Sequence, residues 1–200
     1  SFICDEAVMK KFEVIVVDDG SKDNTAKIGK EYADKYPDTF RVISKENGGH
    51  GSTINCGIRN AVGKYFKVVD GDDWVNTADF VKLVEDLEKT ESEYVFTNYY
   101  EYYDDVNRQK AVDFPQFKDG TEYDFADVAN KVYIPMHALV IKTSVLKDNN
   151  IVIDEKCFYV DVEYVMFPVP FVNKVTFFDL HVYMYRLALS TQSVSILGFQ

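Results

Sequence analysis

FEVIVVDDGS, Phe12 to Ser21, reads as a strand running into a turn and then a helix. Phe12 to Val17 is an apolar, β-branched run, short enough for a buried strand of a parallel sheet. Asp18, Asp19 and Gly20 are turn formers. Ser21 is suited to cap a helix reaching Tyr36, with Ile28, Tyr32 and Tyr36 four apart on one face and Pro37 as the stop.

The same pattern repeats downstream. Phe40 to Ser44 (FRVIS) is a second strand, followed by the glycine-rich loop Asn47-Gly48-Gly49-His50-Gly51-Ser52. A helix carrying Ile54, Ile58, Ala61 and Val62 should end at Gly63. Tyr65 to Val69 is a third strand, leading straight into Asp70-Gly71-Asp72-Asp73. Thr77 is the expected cap of a helix with Phe80, Val84 and Leu87 inward, and Glu93 to Tyr99 is a fourth strand. Strands alternating with helices predict an α/β fold: a Rossmann-like, mostly parallel sheet with helices on both faces. Beyond Tyr99 the pattern loosens into an aromatic excursion to Lys118. A strand at Met136–Ile141, a short helix at Thr143–Asp148 and a long strand at Lys174–Arg186 follow. With no repeat and no linker, residues 1–200 are expected to form one domain.

Composition excludes several classes. The formal charge is −11, from 33 acidic and 22 basic residues, which opposes binding to phosphate backbones or anionic lipid but suits a cation. No run of about 18 apolar residues suggests a membrane span, and no signal peptide is visible. Cys4, Cys56 and Cys157 are odd in number and widely spaced, so neither a disulfide framework nor a zinc knuckle is expected, and a cytoplasmic setting is the simplest.

The chemistry sits at two strand ends. In open parallel sheets, ligands bind beyond the carboxyl ends of strands. Asp18 and Asp19 end the first strand, and Asp70, Asp72 and Asp73 end the third. Asp beside Gly is also an ordinary turn signal, but three carboxylates within four residues repel one another unless a ligand offsets them. Hard oxygen donors suit Mg²⁺ or Mn²⁺, which bind one or two carboxylates together with substrate phosphates.

The order VVDDGS, then NGG, then VVDGDDW resembles the family 2 glycosyltransferases of GT-A fold, whose DDGS strand end is followed by an acidic metal motif; here Asp72 lies 53 residues after Asp19. The resemblance is strong to Tyr99 and looser afterwards. It implies an inverting transferase using Mn²⁺ or Mg²⁺ and a nucleotide-diphospho-sugar donor, with a glycan or lipid-linked acceptor. In that reading Asp19 hydrogen-bonds the nucleobase, with Asn47 and Gly49 beside the donor. Asp70 lies near ribose and metal, Asp72 is the metal ligand, and Asp73 braces the turn. Residues 1–99 would be the donor half and 100–200 the acceptor half. The family's catalytic carboxylate belongs to a Glu-Asp pair opening a late helix. In Cys157-Phe158-Tyr159-Val160-Asp161-Val162-Glu163, Asp161 takes that place, Val160 replaces the Glu, and Glu163 is the alternative. The motif of processive synthases, Q-x-x-R-W, is absent, which implies single transfers. Association with the cytoplasmic membrane face would run through regions outside this chain.

The resemblance also sets a gap. Family members carry a strand between FEVIVV and YFKVV that this sequence lacks, and Ser1 to Lys11 reads as the end of the helix that would follow it. Weak donor binding by this segment alone is the expected consequence. Two other readings stand beside the transferase: a non-catalytic binding domain of the same fold, and a sugar nucleotidyltransferase, whose glycine-rich opening loop is not seen. His50, His137 and His181 are too scattered for a zinc site and read as a loop residue, a half-buried residue or acceptor-cleft wall, and a structural residue. Arg186 and Gln192, near STQSVS (190–195), are weaker phosphate-contact candidates. Tyr94 to Tyr103 reads equally as a packed strand or an acceptor wall.

Overall fold

The structure, a computed structural model, describes residues 2–187. In chain order it runs α1 (Glu6–Met9), β1 (Val14–Asp18), α2 (Thr25–Lys35), β2 (Phe40–Ser44), α3 (His50–Asn60), β3 (Tyr65–Phe66), β4 (Trp74–Val75), α4 (Thr77–Leu87), β5 (Tyr94–Tyr103) and β6 (Arg108–Val112). Then come β7 (Thr121–Asp124), α5 (Phe125–Ala129), β8 (Leu139–Lys142), α6 (Thr143–Asp148), α7 (Val160–Met166) and β9 (Lys174–Leu187). The architecture is mixed α/β, as expected.

The strands form two sheets. β1 and β2 pair in parallel, with Asp18 opposite Ser44. The seven-stranded sheet has the order β3-β8-β5-β9-β4, with β6 on β5 and β7 on β9. β1 and β3 are both outer strands, so the two segments expected to flank an absent strand share no neighbour among the described residues. The pairing differs from a mostly parallel sheet. Among the described residues only β1–β2 and β5–β9 are parallel; five other pairings are antiparallel, because short returns such as β5 to β6 need no crossover helix.

Alternation along the central strands sends side chains to opposite faces. Tyr94, Phe96, Leu139 and Ile141 join Ile54 and Ile58 of α3, Leu146 of α6 and Tyr164 of α7 in one core. Val95 and Val140 point the other way and pack with Leu83 of α4, Phe178 and Val182. Both faces of this sheet are therefore covered by helices. Asn98 sits where the β5–β9 register shifts. Its buried side-chain amide accepts from Phe114 N (2.9 Å) and donates to Asp179 Oδ1 (2.6 Å).

Several local expectations change. The third strand is only Tyr65–Phe66, because β8 pairs with those two residues and no ladder among the described residues continues toward Val69. α2 starts at Thr25 rather than Ser21, since Asp18 Oδ1 takes the Ser21 N–H (3.0 Å) and Asp23 takes that of Thr25. Asn76, not Thr77, caps α4 by accepting from Ala78 N. Ile28 and Tyr32 are exposed, and the face of α2 that meets the sheet is the one carrying Gly29, where a Cβ would lie 3.1 Å from Val42 and 3.4 Å from Val16. α3 ends at Asn60, before Gly63. The strand expected at Met136–Ile141 is Leu139–Lys142 instead, because Met136–Ala138 turns as a short 3-10 helix after Pro135. α6 spans Thr143–Asp148 as read, and β9 extends the long strand by one residue. All three cysteines are free.

Candidate active site

The turn after β1 is built around the Asp19 carboxylate. It accepts from Lys45 Nζ (2.6 Å) and from the N–H groups of Gly48 (2.9 Å) and Gly49 (2.8 Å). Asn47 Nδ2 donates to the Asp19 carbonyl (3.0 Å). Partial burial opposes the Asp19 charge, but Lys45 and the two glycine N–H groups outweigh it and hold the carboxyl below its usual range. The predicted donor residues Asp19, Asn47 and Gly49 are therefore brought together, with most of their hydrogen-bonding capacity spent on one another. Lys45 is an addition to the set read from the sequence. The parallel register puts it in place: Asp18 opposes Ser44, so the next residue on each strand is Asp19 and Lys45.

The glycine loop then crosses to the second acidic turn. Gly49 has φ +81, a conformation that favours glycine, and it precedes α3. His50, the first residue of α3, lies with Nε2 3.0 Å from Asp70 Oδ1. The hydrogen bond to Asp70 raises the His50 pKa against the effect of burial, and Asp161 and Asp72 add to the rise. His50 is a loop-end residue as read, yet it faces the acidic turn. The signal available was a basic residue directly after paired glycines, opposite a run of three aspartates.

Within the turn the aspartates have separate duties. Asp73 is drawn back toward β9: it accepts from Tyr183 Oη (2.5 Å) and from Arg186 N (2.7 Å). Burial, opposed by those hydrogen bonds, lifts its pKa to about 6. Its bracing role stands. Asp70 is the carboxylate in contact with His50, and the charge of Asp72 acts on the same histidine. Among the described residues, the one group of three acidic, His or Cys side chains whose ligand atoms converge within 4.8 Å is Asp154, Cys157 and Glu163; the acidic turn makes no such cage.

Asp161 is the second residue of the seven-residue α7, whose preceding residue Tyr159 takes φ +64. Its charge reaches the other residues of the site. Burial first, then Asp73, Asp70, Asp161 and Asp72, raise the Tyr185 pKa. Tyr133 too is raised, by burial and then by Asp161. Glu163 Oε2 accepts from Asp154 N (2.8 Å), which gives it a structural use.

Beneath the turn lies a lysine that no local pattern singles out. Lys67 donates to the carbonyls of His137 (2.7 Å) and Leu139 (3.2 Å) and lies 5.1 Å from the Tyr183 ring centre. Burial lowers its pKa to about 7. His137 stacks on Tyr185 (4.6 Å, 19°) and meets Tyr99 edge-on (4.2 Å). Its Nε2 is buried with no hydrogen-bond partner among the described residues. Burial and then Lys67 lower its pKa to about 4. His181 is structural as read: it contacts Asp113 (2.6 Å) and stacks on Tyr100. The Arg186 guanidinium donates to Asp104 Oδ1 (2.8 and 3.1 Å). Tyr94, Phe96 and Tyr99 are buried, which favours the packed-strand reading of that segment. Gln192 and the 190–195 loop lie outside the described residues.

A family profile described as glycosyl transferase family 2 matches residues 5–149, and the chain belongs to that family. An uncharacterized glycosyltransferase, EpsJ of Bacillus subtilis, is 39% identical over 92 residues, which cover 46% of this chain and 26% of EpsJ. The structure of S. aureus TarS 1-349 in complex with UDP-GlcNAc superposes with a TM-score of 0.73 at 22% identity, over 90% of this chain and 51% of that one. Mannosyltransferase PcManGT of Pyrobaculum calidifontis, in complex with GDP-Man and Mn²⁺, gives 0.57 at 18% identity, over 86% of this chain and 47% of that one. These likenesses show the GT-A fold. The chain spans about a quarter of EpsJ and about half of the two solved chains. No described helix is long and apolar enough to cross a membrane.

Proposed function

We propose that this chain transfers the sugar of a nucleotide-diphospho-sugar to a hydroxyl of a glycan or lipid-linked acceptor, with inversion, assisted by Mn²⁺ or Mg²⁺. One observation carries the reading: the glycine loop held by the Asp19 carboxylate places His50 Nε2 3.0 Å from Asp70 Oδ1, which joins the two acidic strand ends at one place. A fold shared with structures that hold UDP-GlcNAc, or GDP-Man and Mn²⁺, supports the donor class.

The donor set fits a cation delivered with its substrate. Asp70 and Asp72 are two hard carboxylates that form no closed cage among the described residues, and Mg²⁺ or Mn²⁺ would complete such a set with diphosphate oxygens. When bound, the cation would supply Lewis-acid stabilisation of the departing diphosphate. Asp161 would take the proton of the acceptor hydroxyl as its oxygen forms the new bond to the anomeric carbon. The bond from that carbon to the diphosphate oxygen breaks on the opposite side. Asp19 would hold the glycine loop that closes over the donor, with direct reading of the base left to a smaller share of its capacity. Residues 1–99 would serve the donor and 100–200 the acceptor. Transfer would be non-processive and cytoplasmic.

The test is a Mn²⁺-supplemented assay of the protein against a panel of nucleotide sugars, beside Asp72→Asn and Asp161→Asn. We expect Asp72→Asn to weaken Mn²⁺ binding. Asp161→Asn should keep donor binding while losing about 10²- to 10⁴-fold in turnover. Activity retained in either variant removes that residue from its role. Donor binding without transfer in the unsubstituted protein would favour the non-catalytic reading.

A further inference from the structure

We propose that Tyr183, deep in β9, is a positioning residue that sets the shape of the acidic turn and so aims Asp70 and Asp72. This rests on the function proposed above and adds a residue from the opposite end of the chain.

Tyr183 is fully buried. Its hydroxyl makes two hydrogen bonds to the turn, and they run in opposite senses. It accepts from the backbone N–H of Asp70 (3.1 Å) and donates to Asp73 Oδ2 (2.5 Å). One oxygen thus clamps the first and last residues of Asp70-Gly71-Asp72-Asp73. Asp73 Oδ1 is taken by Arg186 N (2.7 Å), so both oxygens of that carboxylate are tied to the same strand. The turn's own backbone adds the Asp73 N to Asp70 O hydrogen bond (3.1 Å). At Gly71, between them, a Cβ would meet nothing within 4 Å.

The strand is itself well placed. Val75 pairs with Tyr183 and Trp74 with Met184 in the β4–β9 ladder, so β9 grips the chain immediately after the turn as well. The Tyr183 ring stays in place without the hydroxyl, because Lys67 Nζ lies over it and His137 packs against it at 5.6 Å. Removing only the oxygen should free the turn and leave the core filled.

The experiment compares Tyr183→Phe with Tyr94→Phe. Tyr94 is an equally buried tyrosine whose hydroxyl donates to Val165 O (2.7 Å). Amide hydrogen exchange reads the turn directly, without metal or donor. We expect the Asp70 and Arg186 amides to exchange about tenfold faster in Tyr183→Phe and to be unchanged in Tyr94→Phe, the factor that one net hydrogen bond is worth. Manganese titration followed by electron paramagnetic resonance should show affinity about five- to tenfold weaker in Tyr183→Phe only. Because the Tyr183 hydroxyl holds both the Asp70 N–H and the Asp73 carboxylate, Tyr183→Phe should weaken Mn²⁺ binding further in an Asp73→Ala background, but by less than it does in the unsubstituted protein. Unchanged exchange at Asp70 and Arg186 overturns the positioning role, whatever the metal result. Equal loss of Mn²⁺ affinity in both tyrosine variants also overturns it, since that outcome marks a general loss of stability. Absence of Mn²⁺ binding by the unsubstituted protein in the presence of UDP counts against the metal-dependent function, and hydrogen exchange then still decides the role of Tyr183.

Discussion

At the scale of single residues, the site is organised by how its charges are paired off. Asp19 is tied to Lys45 and two glycine N–H groups, and Asp73 to Tyr183 and Arg186 N, while Asp70 faces His50. Lys67 shows what enclosure does to a charge beneath such a site. Its amine is drawn to a pKa of about 7 by burial, although two carbonyls still accept from it. The unfolded chain holds that proton up to the ordinary lysine value of roughly 10.4, so unfolding between pH 7 and 10 takes up a proton. The contribution of Lys67 to stability therefore rises with pH across that window and is least below pH 7. Urea midpoints should show the unsubstituted protein gaining roughly 1.5 kcal/mol relative to Lys67→Met between pH 7 and pH 8.5. A gap that stays constant with pH would mean that the folded amine titrates normally.

At the scale of elements, α3 is the part whose placement decides the site, because it carries His50 on its first turn. It is docked against 153–156 at very close range. A Cβ on Gly51 would lie 1.9 Å from the Asp154 carbonyl oxygen, closer than any real contact. Further along the helix, buried Asn55 accepts from Ile153 N (2.9 Å) and donates to Ile153 O (2.8 Å), as a strand neighbour would. Gly48 O accepts from Lys156 N (3.1 Å). Gly51→Ala should force this contact apart and cost about 2 kcal/mol or more in chemical denaturation. Gly71→Ala, with open space around it, should stay within about 0.5 kcal/mol. Equal effects of the two substitutions would show that α3 does not sit this close to the 153–156 segment.

At the scale of the whole molecule, the fold is a seven-stranded sheet with a smaller two-stranded sheet beside it. β5 and β9 hold most of the buried aromatic side chains, with Phe96 packed on Phe114, Phe117 and Phe177. β1 has only β2 as a ladder partner among the described residues, and four of its five residues are only half-buried. Local opening follows burial and hydrogen bonding. Native-state exchange should therefore place the β1 and β2 amides in a lower-stability unit, opening before those of Val95 to Thr97 in β5. Exchange of both sheets at a single free energy would show that they unfold together.

How much of this is legible in the sequence depends on the range of the interaction concerned. The alternation of strand and helix to Tyr99 and the long last strand can be read from periodicity and turn residues, since these act over a few positions, whereas the late helix around Asp161 is expected only from the family resemblance. The sequence also marks both acidic turns, because carboxylates crowded beside glycine are a local pattern. The helix starts expected at Ser21 and Thr77 shift because neighbouring Asp18, Asp23 and Asn76 compete for the same N–H groups. Only the tertiary structure decides how each carboxylate is used. Asp73 is withdrawn by a tyrosine 110 residues away, and Asp70 is met by a histidine on another helix. No local pattern carries such pairings, because hydrogen bonding depends on distances of about 3 Å that only the packed chain sets.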